Sequence, residues 1–258
     1  MKPIEDFIKT VAKLRAPDGC PWDKEQTHKT LKRYLIEEAY ETIDAIDNDD
    51  SKALMEELGD VLLQVVLHSQ IAKENNQFSF DELVDFINKK MISRHPHVFS
   101  DVVVKDTAEV LDNWEKLKKE EKPNKKTIFE GIPNSLPALL KALKVSKKAA
   151  RDGFEWEKES DLWKSLDSET NELKEAINLN DKDKQREELG DLLFMIVNIS
   201  RWYKLDPEES LNNGIKKFIK RFNRVQNIVR NKTNKELKEI SPSELNKIWE
   251  DIKKEGEE

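Results

Sequence analysis

Glu38 and Glu41 stand three residues apart, and so do Glu57 and Asp60. The same acids return at a constant offset of 131 as Glu169, Glu172, Glu188 and Asp191. In a helix, residues three apart differ by about 60° in direction and about 4.5 Å in height, so each pair projects two carboxylates from one face. The run Leu31, Tyr34, Glu38, Glu41, Ala45 follows helical spacing, which turns the first acid pair toward a bundle interior. Glu169 shares a stripe with Leu162, Leu166, Leu173 and Ala176 in the same way. Two neighbouring helices would then deliver four carboxylates to one space. Left uncompensated, such a group costs many kcal/mol or takes up protons. Solvation, or pairing with the chain's many lysines, would account for one such motif. Acids kept at fixed spacing in two places point instead to a bound divalent cation. All-oxygen ligands suit Mg2+ or Mn2+. A ferritin-like di-iron centre would require Glu-x-x-His on two helices, and none of His28, His68, His95 and His97 lies three residues after a glutamate of either cluster.

Carboxylate-held Mg2+ commonly takes phosphate as a further ligand, and phosphate needs cations. Lys90 with Arg94, and Lys217 with Arg221, are pairs four apart at matching places in the chain. Arginine can grip phosphate oxygens through two donors, whereas lysine acts as a point charge. Trp114 and Trp249 come late in each half, placed either to stack on a base or to pack in a core. Asn198 sits two turns after Asp191 and can donate to a sugar or phosphate, which its counterpart Leu67 cannot. Trp22 and Trp156 read as structural, in the turn that opens each half. Gly59 and Gly190 fall inside expected helices, where glycine costs about 1 kcal/mol relative to alanine. Close helix packing or room for a metal-bound substrate would each explain them.

The elements that must position these groups are written twice. "DGCPWD" at Asp18 answers "DGFEWE" at Asp152, "EELGD" occurs at Glu56 and again at Glu187, and "NWEKLKKEE" resembles "IWEDIKKEGEE". The order is kept throughout, which marks a tandem duplication of a unit of roughly 120 residues. The expected organisation is a first unit over 1–120, a linker over 121–137 carrying Pro123, Gly131, Pro133 and Pro137, and a second unit over 138–258. Helical periodicity predicts helices from about Leu31 to Ala45, then near 51–74, 80–94 and 107–120. The second unit repeats them near 160–179, 182–203, 207–231 and 243–254. No run of period-two alternation competes with them. The fold class is all-α, with each unit resembling a four-helix bundle. The segments Val61–Leu67 and Leu192–Val197 are more apolar than one small bundle need cover, so the units are expected to pair, within the chain or between chains.

Composition agrees. Charged residues make up 38 % of the 258 and hydrophobic ones 37 %, with seven glycines. A net charge of −7 argues against a nonspecific hold on nucleic acid. The single cysteine, Cys20, excludes an intramolecular disulfide and fits a reducing cytoplasm. The opening MKPIEDFIKT has no long apolar run, so no signal peptide is expected. No stretch approaches 18 uninterrupted apolar residues, so no membrane partner is expected.

With "GCPWDKEQTHKTLKRYLIEEAYE", "EELGDVLLQVV" and "SRHPHVF" in the first unit and "DGFEWE", "EELGDLLF" and "KFIKRF" in the second, nearly the whole chain resembles the MazG family of the all-α NTP pyrophosphatase superfamily. That pattern is EExxE followed by ExxD. The first unit carries it in full from Glu37 to Asp60. In the second, Ser168 stands where Glu37 does. The resemblance implies hydrolysis of an NTP or dNTP to the monophosphate and pyrophosphate, with water attacking the α-phosphorus. It implies Mg2+ held by the four acids of a unit, the second unit as the main hydrolase, and a homodimer. Lys217, Arg221 and Trp249 match the family's substrate positions. A nucleotide-binding sensor without turnover, and a helical interaction protein with merely solvated acids, are the rival function classes.

Overall fold

A computed structural model describes residues 3–121, 126–233 and 236–256. The chain divides into two compact units at residues 123 and 124. In the first, helices run α1 (Pro3–Arg15), α2 (Pro21–Glu25), α3 (Lys32–Asp47), α4 (Ser51–Glu74), α5 (Phe80–Arg94), α6 (Pro96–Phe99) and α7 (Thr107–Glu120). In the second they are α8 (Ala138–Arg151), α9 (Glu159–Asn178), α10 (Lys182–Trp202), α11 (Pro207–Thr233) and α12 (Pro242–Glu255), with a 3-10 turn at Leu237–Glu239. Among the described residues there is no strand, and no helix is long and apolar enough to cross a membrane. Of the expected linker, residues 122–125 lie outside the described residues, and 126–137 form turns and bends.

One element in each unit matters most, a hairpin of two antiparallel helices: α3 with α4, and α9 with α10. Both hairpins turn by the same device. Asp49 and Asn180 take left-handed backbone (φ 51 and 54), short polar side chains being the ones that tolerate it. The next residue, Asp50 or Asp181, then caps the second helix. Asp50 accepts from the amides of Lys52 and Ala53, and Asp181 from those of Asp183 and Lys184. The turn thereby fixes the axial register that sets one acid pair opposite the other.

In the first unit α1 and α5 pack on α4, and the core gathers Val11, Leu31, Val66, Leu67 and Ile71. In the second, α8 packs on α10, α11 on both α8 and α10, and α12 on α11. Val225, Val229, Ile240 and Ile252 form a core cluster there. The helices expected from periodicity are present within a residue or two at most ends. Helices α1 and α8 went unassigned, although Ile4, Phe7, Ile8 and Val11 carry a legible apolar stripe in α1. In α8 the corresponding stripe is interrupted by Ser146, which is buried.

Candidate active site

Each hairpin brings three carboxylates together. Oxygens of Glu38, Glu41 and Glu57 lie within 4.8 Å of one another, and so do those of Glu169, Glu172 and Glu188. Asp60 and Asp191 fall outside these tight groups, yet their charge acts on them. Glu38 is pushed above its ordinary pKa by burial first, then by the charges of Asp60 and Glu41. Glu57 is raised by burial and then by Glu41 and Asp60. In the second unit Glu169 is raised by burial, Glu172 and Asp191, and Glu188 by burial, Glu172 and Glu187, with Lys184 opposing. Like charges held this close resist joint ionisation, and that resistance drives cation uptake. Oxygens at 2.0–2.1 Å from an octahedral ion sit roughly 3 Å apart when adjacent and roughly 4 Å when opposite. A small closing of either trio meets that requirement with a hard, all-oxygen donor set. No histidine enters either group, and His28 and His68 instead bond each other through Nδ1 atoms 2.7 Å apart.

The acids were expected to face a bundle interior, and the structure gives them a partly open one. Glu188 is buried and Glu38, Glu57, Asp60 and Glu169 are half-buried, but Glu41, Glu172 and Asp191 are exposed. Each hairpin is covered on one side only. On α10, Leu189, Leu193 and Ile196 form a stripe exposed by 48 %, 52 % and 45 %. Met55, Leu58 and Leu62 are likewise exposed on α4. The close-packing reading of the two helical glycines also falls away, because a Cβ added at Gly59 or Gly190 meets nothing within 4 Å. Open space beside the acids is what remains.

Four other expected contacts are spoken for. Asn198 is buried, its Oδ1 accepting from Ser146 Oγ at 2.6 Å and its Nδ2 donating to the Phe194 carbonyl at 3.0 Å. Its amide therefore ties α10 to α8 and faces no open site. In the first unit the matching positions are Val11 and Leu67, both members of the apolar core. Asn198→Leu alone is expected to destabilise the protein by about 1–3 kcal/mol, because the buried Ser146 hydroxyl, which still accepts from Arg201 Nε at 2.6 Å, loses the acceptor for its own proton. The double change Asn198→Leu/Ser146→Val should be milder than the sum by about 0.5–3 kcal/mol in urea denaturation. Simple additivity would contradict this pairing. Arg94 is buried, ion-paired to Glu121 with its Nε at 3.0 Å, and stacked over Trp114. Trp114 also meets His95 edge-on. Trp249 packs with the Val225–Ile252 cluster and against Phe218. Trp249 thus packs in a core, whereas Trp114 lies against Arg94 and His95. Lys90 and Arg221 are half-buried and Lys217 is exposed, the last two one turn apart on α11. Trp22, 48 % exposed, meets Tyr34 edge-on, and Trp156 donates to Ser165 at 3.1 Å.

One residue at the site escaped the sequence reading as a partner. Ser168 Oγ donates to Glu172 Oε1 at 2.8 Å. Its spacing of four residues on one helix was the available signal.

The model of the MazG nucleotide pyrophosphohydrolase domain matches this chain twice, over residues 26–99 and 157–226. The chain belongs to the MazG family. The two MazG matches contain both acid clusters together with Lys90, Arg94, Lys217 and Arg221, and they stop short of Trp114 and Trp249. Among relatives, the nucleoside triphosphate pyrophosphohydrolase/pyrophosphatase MazG of Thermotoga maritima is 42 % identical over 97 % of this chain and 95 % of its own length. The nucleoside triphosphate pyrophosphohydrolase of Escherichia coli K12 is 37 % identical over 98 % of both. The uncharacterised YabN protein of Bacillus subtilis is 43 % identical over 96 % of this chain, which spans 51 % of that protein.

Proposed function

We propose that the chain hydrolyses nucleoside or deoxynucleoside triphosphates to the monophosphate and pyrophosphate, with Mg2+ or Mn2+ as cofactor. The observation that carries this reading is the carboxylate trio of each hairpin, beside open space, in a chain of the MazG family. Glu169, Glu172, Glu188 and Asp191 would hold the ion in the second unit, and Glu38, Glu41, Glu57 and Asp60 in the first. Bound there, the ion supplies charge neutralisation for the triphosphate and a more acidic water. The chain's own groups do the rest. A carboxylate oxygen of Glu169 or Glu172 not used as a ligand orients the attacking water and takes its proton. Lys217 and Arg221 stabilise charge on the departing pyrophosphate. A panel of NTPs and dNTPs with Mg2+, the products separated by anion exchange, tests the reading. Monophosphate and pyrophosphate in equal amounts are expected, and diphosphate with inorganic phosphate would overturn it.

The second unit is proposed as the main hydrolase. The resemblance to two-unit family members, in which the C-terminal unit is the main hydrolase, supports this order; Arg94, paired with Glu121, and Arg221, which is also engaged, do not separate the units. The exposed apolar stripe of α10 supports a homodimer, and light scattering at twice the chain mass is the expected result. A monomer with two independently tumbling units would contradict it. A cytoplasmic setting agrees with a single cysteine.

The raised carboxylates give a pH signature. Because Glu38, Glu57, Glu169 and Glu188 have folded pKa values above their ordinary 4.5, they favour the folded state at low pH. That contribution is lost as pH rises through the raised values. A cation relieves the repulsion only where the acids are ionised. Mg2+ at a hundredfold excess over Kd should stabilise by about 2.7 kcal/mol at pH 7.5, on the order of 5–10 °C in Tm. The shift should shrink toward pH 4.5. An equal shift at both pH values in a thermal melt would count against the carboxylate site.

A further inference from the structure

The second unit departs from the family pattern at one place, and the structure gives that place a contact. Of the three clustered acids there, Glu188 is buried and Glu169 half-buried, so packing already limits their side chains. Glu172 is exposed, and a glutamate has three torsions to fix. It is also the one with a hydroxyl partner, Ser168 Oγ, at 2.8 Å one turn back on α9. The first unit has Glu37 at the matching position, also exposed. An ionised carboxylate only accepts hydrogen bonds, so Glu37 can give Glu41 no such tether. Glu41 instead meets Glu57 across the hairpin.

We propose that Ser168 is a positioning residue for the divalent cation of the second unit. By donating to one oxygen of Glu172, its hydroxyl restrains the carboxylate before the ion arrives and leaves the other oxygen for coordination. The bond survives ion binding, since a carboxylate has lone pairs enough for both partners. The serine thus replaces a fifth negative charge with a neutral donor, and the two units hold their ions by different means. The inference rests on the metal reading of the acid cluster.

The experiment is calorimetric titration of Mn2+ into the full chain carrying Glu38→Gln/Glu41→Gln, which leaves the second site alone to report. Adding Ser168→Ala should weaken Mn2+ binding about fivefold, the worth of one hydrogen bond. Ser168→Thr, which keeps the hydroxyl, should bind within about twofold of the parent. Ser168 is exposed and alanine is the better helix former, so the variant folds, and a thermal melt checks this. Unchanged affinity in Ser168→Ala, with the parent binding normally, overturns the role of Ser168 alone. An equal loss in the threonine variant also overturns it, since the hydroxyl would then be irrelevant. No binding by the parent overturns the metal reading and this inference together.

Discussion

Glu172→Gln is expected to lower turnover by more than a hundredfold, and Glu41→Gln by less than about tenfold. The substitution keeps the volume and removes one negative charge from a trio whose oxygens lie within 4.8 Å. Removing one preorganised electrostatic stabiliser of a developing charge typically costs about 3 kcal/mol of transition-state stabilisation, or over a hundredfold in rate. In the proposed mechanism Glu172 would serve the cation as ligand, or the attacking water as base, and both roles need the charge. Glu41 occupies the same place in the first hairpin, and the smaller loss expected there follows from the proposal that the second unit is the main hydrolase. The first unit nevertheless has the fuller acidic motif, with Glu37, so residual activity there is expected. Steady-state rates of pyrophosphate release on the two variants check this. Turnover abolished by Glu41→Gln and intact in Glu172→Gln would place the active unit wrongly here, with the chemistry still standing.

Removal of the divalent cation is expected to abolish turnover. Chelator-treated protein in metal-free buffer should fall to background, a loss of roughly a thousandfold or more, since the ion supplies several kcal/mol of charge stabilisation. Mg2+ or Mn2+ should restore the rate. Ca2+ should do so poorly, because it prefers six to eight oxygens at 2.3–2.6 Å and would leave water and phosphate too far apart. Zn2+ should also do so poorly, since its usual sites are tetrahedral and use nitrogen or sulfur. Full turnover in metal-free buffer would end the metal hypothesis.

What was legible in the sequence, and what was not, follows from the range of the interactions. Glu38 with Glu41, or Glu188 with Asp191, reveal a shared face because one helix sets their geometry locally. Asp50 and Asp181 are readable as caps for the same reason. Asn198 was misjudged because its partner, Ser146, lies 52 positions away on a helix whose apolar stripe that serine interrupts. Arg94 looked like a phosphate ligand because its actual partner, Glu121, is 27 positions away and beyond helical periodicity. An apolar stripe such as Leu189, Leu193 and Ile196 tells that a face seeks cover, but not what covers it. That is why acids expected to face a bundle interior stand at a partly open one. The glycines were ambiguous for a related reason: glycine permits both contact and empty space, and only coordinates distinguish them.

The central claim is that water attacks the α-phosphorus and expels pyrophosphate, and hydrolysis in 18O-enriched water tests it most directly. With Mg2+ and an NTP substrate, mass spectrometry of the products should find one 18O in the nucleoside monophosphate and none in the pyrophosphate. Label in the pyrophosphate would mean attack at the β-phosphorus, and a nucleoside diphosphate product with labelled inorganic phosphate would mean attack at the γ-phosphorus. Either result would contradict the account.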